Sequence, residues 1–227
     1  MAPTDRYLRP ADLPQQIPVF PLRGVILLPR ATLPLSVFEP RYLEMIEDVL
    51  SGPRVLGIVQ PERSEGDDES PSGKAVGLRG VGCVGRLTAF QELAENRMLI
   101  TLTGIARFDF VSEMPTTKPY RLFEIDCAPH IDDFSAGAGE DEVDRTNLLR
   151  VLKSYLEAHK LKADWRSILS APTEYLVNSL SIGCPYGPEE KQALLEANDL
   201  RTRAEVLMAL AEMELASNES GSGGAVN

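Results

Sequence analysis

The sequence predicts an α+β protein in which a β-rich half comes first and a helical half second. Three features of the 227 residues lead to this. Apolar residues alternate with a period of two in several segments up to about residue 127. They recur every three or four residues from about Glu140 onward. An acidic stretch of small residues, DDFSAGAGEDE (132–142), lies between the two regimes. Blocks of strands followed by blocks of helices are not the alternation of a doubly wound parallel sheet.

The opening, MAPTDRYLRPADLPQQ, lacks the basic-then-apolar layout of a signal peptide and reads as an N-terminal arm over 1–14. TLPLSVF (32–38) alternates, with Leu33, Leu35 and Val37 on one face. After Pro40 the segment RYLEMIEDVL carries Tyr42, Leu43, Ile46, Val49 and Leu50 at helical spacing, and Gly52-Pro53 ends that helix. VLGIV (55–59) is apolar on both faces and is expected at the centre of a sheet. RMLITLTGIARFDFV (97–111) reads as one long strand bent at Gly104, and FEIDC (123–127) as a half-buried strand. RLTAFQELAEN (86–96) fits a helix or a strand.

The β-rich unit is expected over 15–131, a linker over 132–139 and a helical unit over 140–216. Glu140, Asp141 and Glu142 suit a helix start, followed by the stripe Leu148, Leu149, Leu152, Tyr155 and Leu156. Trp165 falls in a linker between helices, as a core plug. Pro172 and Gly183 bracket a shorter helix, Pro188 with Glu189 and Glu190 opens another, and Leu200 to Leu215 traces the last. The Gly/Ser-rich end is expected to be a disordered tail over 217–227.

Chemical signatures are few. Gly80, Gly82 and Gly85 have the G-x-G-x-x-G spacing, but no buried strand precedes them and no ribose-binding carboxylate follows at the right distance. Bulges and close backbone packing in a curved sheet explain them better. Gly73-Lys74-Ala75 lacks the hydroxyl of a phosphate loop, and Asp68 stands where its first glycine belongs. Pro71-Ser72-Gly73 has no nearby base. The acidic loop 62–70 lacks the ligand alternation and closing Glu of an EF-hand. Two histidines and three scattered cysteines give no metal set; Cys83, Cys127 and Cys184 read as buried thiols of a reducing, cytoplasmic setting. No cofactor and no transmembrane helix are expected. A net charge of −11 without a basic run argues against a nucleic-acid partner.

The stretch IPVFPLRGVILLPRATLPLSVFEPRYLEMIEDVL (17–50) resembles the opening of the N-terminal, substrate-recognition domain of the ATP-dependent Lon proteases. Its landmarks are Pro21-Leu22, the apolar run Val25 to Leu28, Pro29, and Leu33-Pro34-Leu35 before a helix. Gln60-Pro61, Val81-Gly82, Gly104-x-x-Arg107 and the helical 189–212 agree, so the likeness covers about residues 15–216. No ATPase loop or protease nucleophile context is present. The resemblance therefore implies a stand-alone, bacterial-type member, with a PUA-like twisted β-barrel or pseudo-barrel followed by an α-helical bundle, and without proteolysis. On that reading Gly80 to Gly85 lie in the approach to a strand.

FEPRY (38–42) is most similar to the stand-alone proteins of this family. Glu39 and Arg41 with Tyr42 form either a local ion pair beside a buried ring or, with Arg107, the lining of a cleft between the halves. The leading expectation is a non-catalytic module that binds unfolded or extended polypeptide through apolar pockets or strand addition. A small-molecule or nucleic-acid reader is the second reading. An enzyme built on Glu39 with Arg41 or Glu174 is the third.

Overall fold

The computed structural model describes residues 6–62 and 76–222, with side chains to residue 217. The acidic loop after Glu62, the two look-alike turns at 71–75 and the chain end from residue 223 lie outside the described residues.

Six strands pair into one sheet: β1 (Gln16–Pro21), β2 (Thr32–Val37), β3 (Val55–Val59), β4 (Val81–Leu93), β5 (Arg97–Met114) and β6 (Arg121–Asp126), in the order β2-β5-β4-β3-β1-β6. β1 and β3 run parallel, and the other pairs are antiparallel. β6 also pairs with the second half of β5, so the hydrogen bonding returns on itself through β5-β4-β3-β1-β6. β5 does this because its first half, up to Thr103, pairs with β2, and its second half, from Asp109, pairs with β6.

β3 is buried along its whole length because it separates two cores. Val55 and Val59 face one with Ile17, Val19, Ala106 and Phe108; Leu56 and Ile58 face the other. The completely buried Phe108 ring lies over Gly57 and Gly82, where a Cβ would come within 2.9 Å and 2.5 Å of it. Gly82 and Gly85 thus lie within β4 rather than before it, in a sheet and not at a helix start. Gly104 is required by close approach: Pro29 bridges to it, and an added Cβ would fall on the Leu28 carbonyl. The ambiguous 86–96 region is strand and turn, with β4 and β5 joined across Leu93 and Arg97.

Between β2 and β3 stands α1 (Pro40–Ser51), opened by Pro40 and closed at Gly52, whose N–H bonds Val49 O at 3.2 Å. Its Tyr42, Met45, Ile46 and Val49 are buried at helical spacing. The second half contains α2 (Arg145–Ala158), α3 (Trp165–Ser170), α4 (Thr173–Gly183), α5 (Pro188–Glu196) and α6 (Leu200–Ser222). α2, α4 and α5 each pack against α6.

Four local expectations are corrected. The acidic trio 140–142 forms a separate 3-10 turn, and Asp144 caps α2 by accepting from Asn147 N at 3.0 Å. Trp165 opens α3 half-buried and is not part of either core. α6 continues to Ser222, into the stretch expected to be tail. Within the expected linker, the 3-10 segment Ala128–Phe134 carries the buried Asp133. Cys83 and Cys127 are buried, whereas Cys184 is half-buried.

The halves share one core. Val143, Leu148, Val177, Leu194 and Leu207 belong to the same apolar cluster as Leu28, Leu56, Ile100 and Leu102. Buried polar links cross the seam as well: Asn178 Nδ2 donates to Pro29 O at 3.0 Å, and Gln60 Nε2 donates to Gln192 Oε1 at 3.0 Å.

Candidate functional site

Two places concentrate chemistry-bearing side chains. The first is a cavity of about 390 Å³ at the seam, bordered by Arg30, Arg107, Asp133, Glu174 and Arg203 together with the start of α6. Arg107 reaches it from β5 and is 3 % exposed. Its Nε donates to Asp133 Oδ2 at 2.9 Å and its Nη2 to Asp133 Oδ1 at 3.0 Å, while Nη1 donates to the carbonyls of Leu195 and Ala197. Burial would raise the Asp133 carboxyl, but the hydrogen bonds and charge of Arg107 outweigh it and hold the carboxyl below its usual range.

Arg30, at a positive φ of 61°, pairs with Glu174, and its Nη1 donates to Asp133 O at 2.7 Å. Arg203 donates to Leu194 O and Asn178 Oδ1, and its Nη2 is buried with no hydrogen-bond partner among the described residues. Burial and the neighbouring Arg107 push the Arg203 guanidinium down to about 10. The guanidiniums of this cavity therefore hold the halves together, with most donors already bonded to protein.

Glu39, Arg41 and Tyr42 do not border that cavity. Arg41 Nη2 meets Glu39 Oε2 at 2.7 Å in an exposed pair, and its guanidinium lies 4.5 Å over the Tyr42 ring. The Tyr42 ring packs on Phe20 with centroids 4.2 Å apart, and burial raises its phenol above the ordinary value. The structure thus separates Arg107 from the other three.

Beside Glu39 and Arg41, however, lies the second place. Phe38 follows the Val37–Met98 pair, which sets it next to Arg97 on the outer face of β2 and β5. Leu99 on that face is opposite Ser36 on one side and Gln91 on the other, and Leu93 is opposite Arg97. Phe38, Leu93 and Leu99 are 63 %, 42 % and 41 % exposed. Phe90, on the opposite face beside Ile100, is also exposed. Arg97, paired with Glu95 at 3.7 Å, stands between Phe38 and Leu93, and the Glu39–Arg41 pair lies at the edge. Exposed apolar side chains gathered on one face in this way are the kind of surface at which partners dock.

Sequence reasoning found the border and missed the row. Leu99 breaks the buried alternation of Met98, Ile100 and Leu102, and Phe38 directly precedes the Glu39–Arg41 pair; these were the available signals. Among the described residues no group of three or more His, Cys, Asp or Glu is arranged to hold a metal ion, and no helix is long and apolar enough to cross a membrane.

The model of the ATP-dependent protease La (Lon) substrate-binding domain family matches residues 16–212. Lon protease 2 of Myxococcus xanthus is 28 % identical over 202 residues, which cover 88 % of this chain and 24 % of that protein. Lon protease of Anaeromyxobacter dehalogenans is 27 % identical over 205 residues, covering 88 % and 23 %. The chain therefore spans about a quarter of the length of these relatives. Among solved structures, the Lon N-terminal domain protein from Xanthomonas campestris is similar with a TM-score of 0.58 at 22 % identity, over 86 % of this chain and 97 % of that one. The N-terminal domain of Mycobacterium avium complex Lon protease has a TM-score of 0.59 at 15 % identity, over 87 % and 98 %. Both likenesses concern the fold.

Proposed function

The chain belongs to the family of ATP-dependent protease La (Lon) substrate-binding domains, and on that premise we propose that it is a non-catalytic module that binds unfolded or extended polypeptide. In this reading the self-closing strands are a PUA-like barrel, α2 to α6 are a bundle behind it, and the module works in the reducing cytoplasm. The observation that carries the reading is the exposed row of Phe38, Leu93 and Leu99 on the outer face of the sheet. Single exposed apolar residues need no explanation, but three on one face around Arg97 form a surface suited to a partner.

Glu39 and Arg41 border this surface, and Tyr42 anchors α1 beneath them; Arg107 serves the seam. The net charge of −11 favours neutral or basic segments over nucleic acid. A small-molecule site would draw on the seam cavity, but most guanidinium donors there already bond to protein groups.

The test is fluorescence anisotropy with a labelled, unstructured peptide, comparing the parent protein with the Phe38→Ser, Leu99→Ser variant. Completing the burial of both side chains contributes about 2 kcal/mol, so the variant binds roughly thirtyfold more weakly with its thermal midpoint unchanged. Absence of saturable binding by the parent up to millimolar peptide rejects the reading.

A further inference from the structure

The same arm of the sheet leaves one strand edge unpaired. β4 pairs with β3 only over Cys83–Arg86, and the last backbone bond on that side runs from Leu87 N to Arg54 O at 2.8 Å. From Ala89 to Leu93 the strand pairs with β5 on one side and, among the described residues, with no strand on the other; Thr88 stands at the register shift just before. Residues 89–93 are all exposed. Backbone N–H and C=O groups alternate in direction along a strand, so this stretch presents a short row of donors and acceptors to solvent.

The opposite edge is less receptive. Among the described residues β2 pairs only with β5, but Pro34 in its middle has no N–H, and Pro40 starts α1 soon after Val37. Natural sheets protect edges in this way. The 88–93 edge carries no proline.

We propose that the edge of β4 over residues 88–93 takes up an extended segment of another polypeptide as an added strand, with backbone hydrogen bonds supplying sequence-tolerant affinity. The inference rests on the polypeptide-binding reading and names its site and mode. Side-chain preference follows from the two faces. Phe90 and Glu92 share one face, and Gln91 and Leu93 share the other, since side chains alternate. The incoming strand therefore carries an apolar residue beside Phe90, a Lys or Arg two positions along beside Glu92, and an apolar residue on the other face beside Leu93. Charge selects a foreign basic segment over a second copy of this chain, because self-pairing would bring two surfaces of net charge −11 together.

The probe is a labelled ten-residue peptide, Gly-Ser-Thr-Leu-Thr-Lys-Leu-Thr-Ser-Gly, whose Leu-Thr-Lys-Leu core matches that order, with two further versions N-methylated on the odd-numbered or on the even-numbered residues of its central six. Added-strand binding uses the N–H groups of one set only. One methylated version therefore loses at least tenfold in affinity, while the other stays within threefold of the parent peptide. The Glu92→Gln protein, altered at an exposed position, binds the parent peptide several-fold more weakly. If both methylated versions bind like the parent, or both lose affinity equally, strand addition is wrong while polypeptide binding stands. If the parent peptide does not bind saturably, both fail. A dimer of the free protein with the 88–93 amides protected from hydrogen exchange overturns the choice of occupant.

Discussion

Replacing Arg107 with methionine tests how the two halves are joined. Arg107 is 3 % and Asp133 6 % exposed, and the guanidinium meets the carboxylate through two bonds, at 2.9 Å and 3.0 Å. Methionine keeps much of the length and volume but leaves Asp133 charged and buried. Breaking a buried pair from one side costs about 3–5 kcal/mol. With a urea m-value of about 2–3 kcal/mol/M, the midpoint falls by roughly 1–2.5 M at pH 7. The sign of the pH dependence follows from Asp133. Its folded pKa is depressed, so in the parent its stabilisation is present above the unfolded value near ~3.9 and is lost as pH falls through the folded value. In Arg107→Met the largest opposing influence, burial, prevails, and protonation relieves the variant. The stability gap between the two proteins therefore narrows as pH drops from 7 to 4. Adding Asp133→Leu removes the stranded charge, and the cycle shows a coupling of about 1–3 kcal/mol. Urea denaturation followed by circular dichroism reads all of these. A single-variant cost below about 1 kcal/mol, or strictly additive effects, would refute the seam argument.

Two further outcomes follow from the packing. Gly80→Ala, with nothing within 4 Å of the added Cβ, changes stability by less than about 0.5 kcal/mol, whereas Gly82→Ala pushes on Phe108 and the Ile58 carbonyl and costs about 1–3 kcal/mol in the same denaturation assay. Comparable costs at both positions would contradict the packing account of this glycine motif. Burial raises all three thiols, Cys127 to about 12, and Cys184 is the one that is only half-buried, so it reacts first with a thiol reagent in the native protein. Mass spectrometry of the labelled peptides checks the order.

The elements legible in the sequence were those whose pattern reports a local environment. β3 reads as central because apolar residues on both faces are needed between two cores, and α1 reads from its apolar stripe between Pro40 and Gly52. β1 is hard to see in the sequence because Pro18 and Pro21 remove two backbone donors from it. Pro18 is accommodated because it pairs with Leu122 on β6, and pairing with β3 begins only at Val19. Arg107 stood out as a charge within an apolar strand, but its partner Asp133 lies 26 residues away in a stretch that reads as a solvated linker. Leu99 and Phe38 were invisible as surface residues, because alternation identifies two faces without saying which one another layer covers. Met98 and Ile100 belong to the shared apolar core, and Leu99 is left open.

The central claim is that the β2–β5–β4 arm is where polypeptide docks, and amide chemical-shift mapping of the labelled protein during peptide titration tests it most directly. The account predicts saturable changes concentrated at residues 36–38 and 88–99, with the amides of Arg107, Asp133 and Arg203 unmoved. Changes centred on the seam cavity, or none at all, would contradict it.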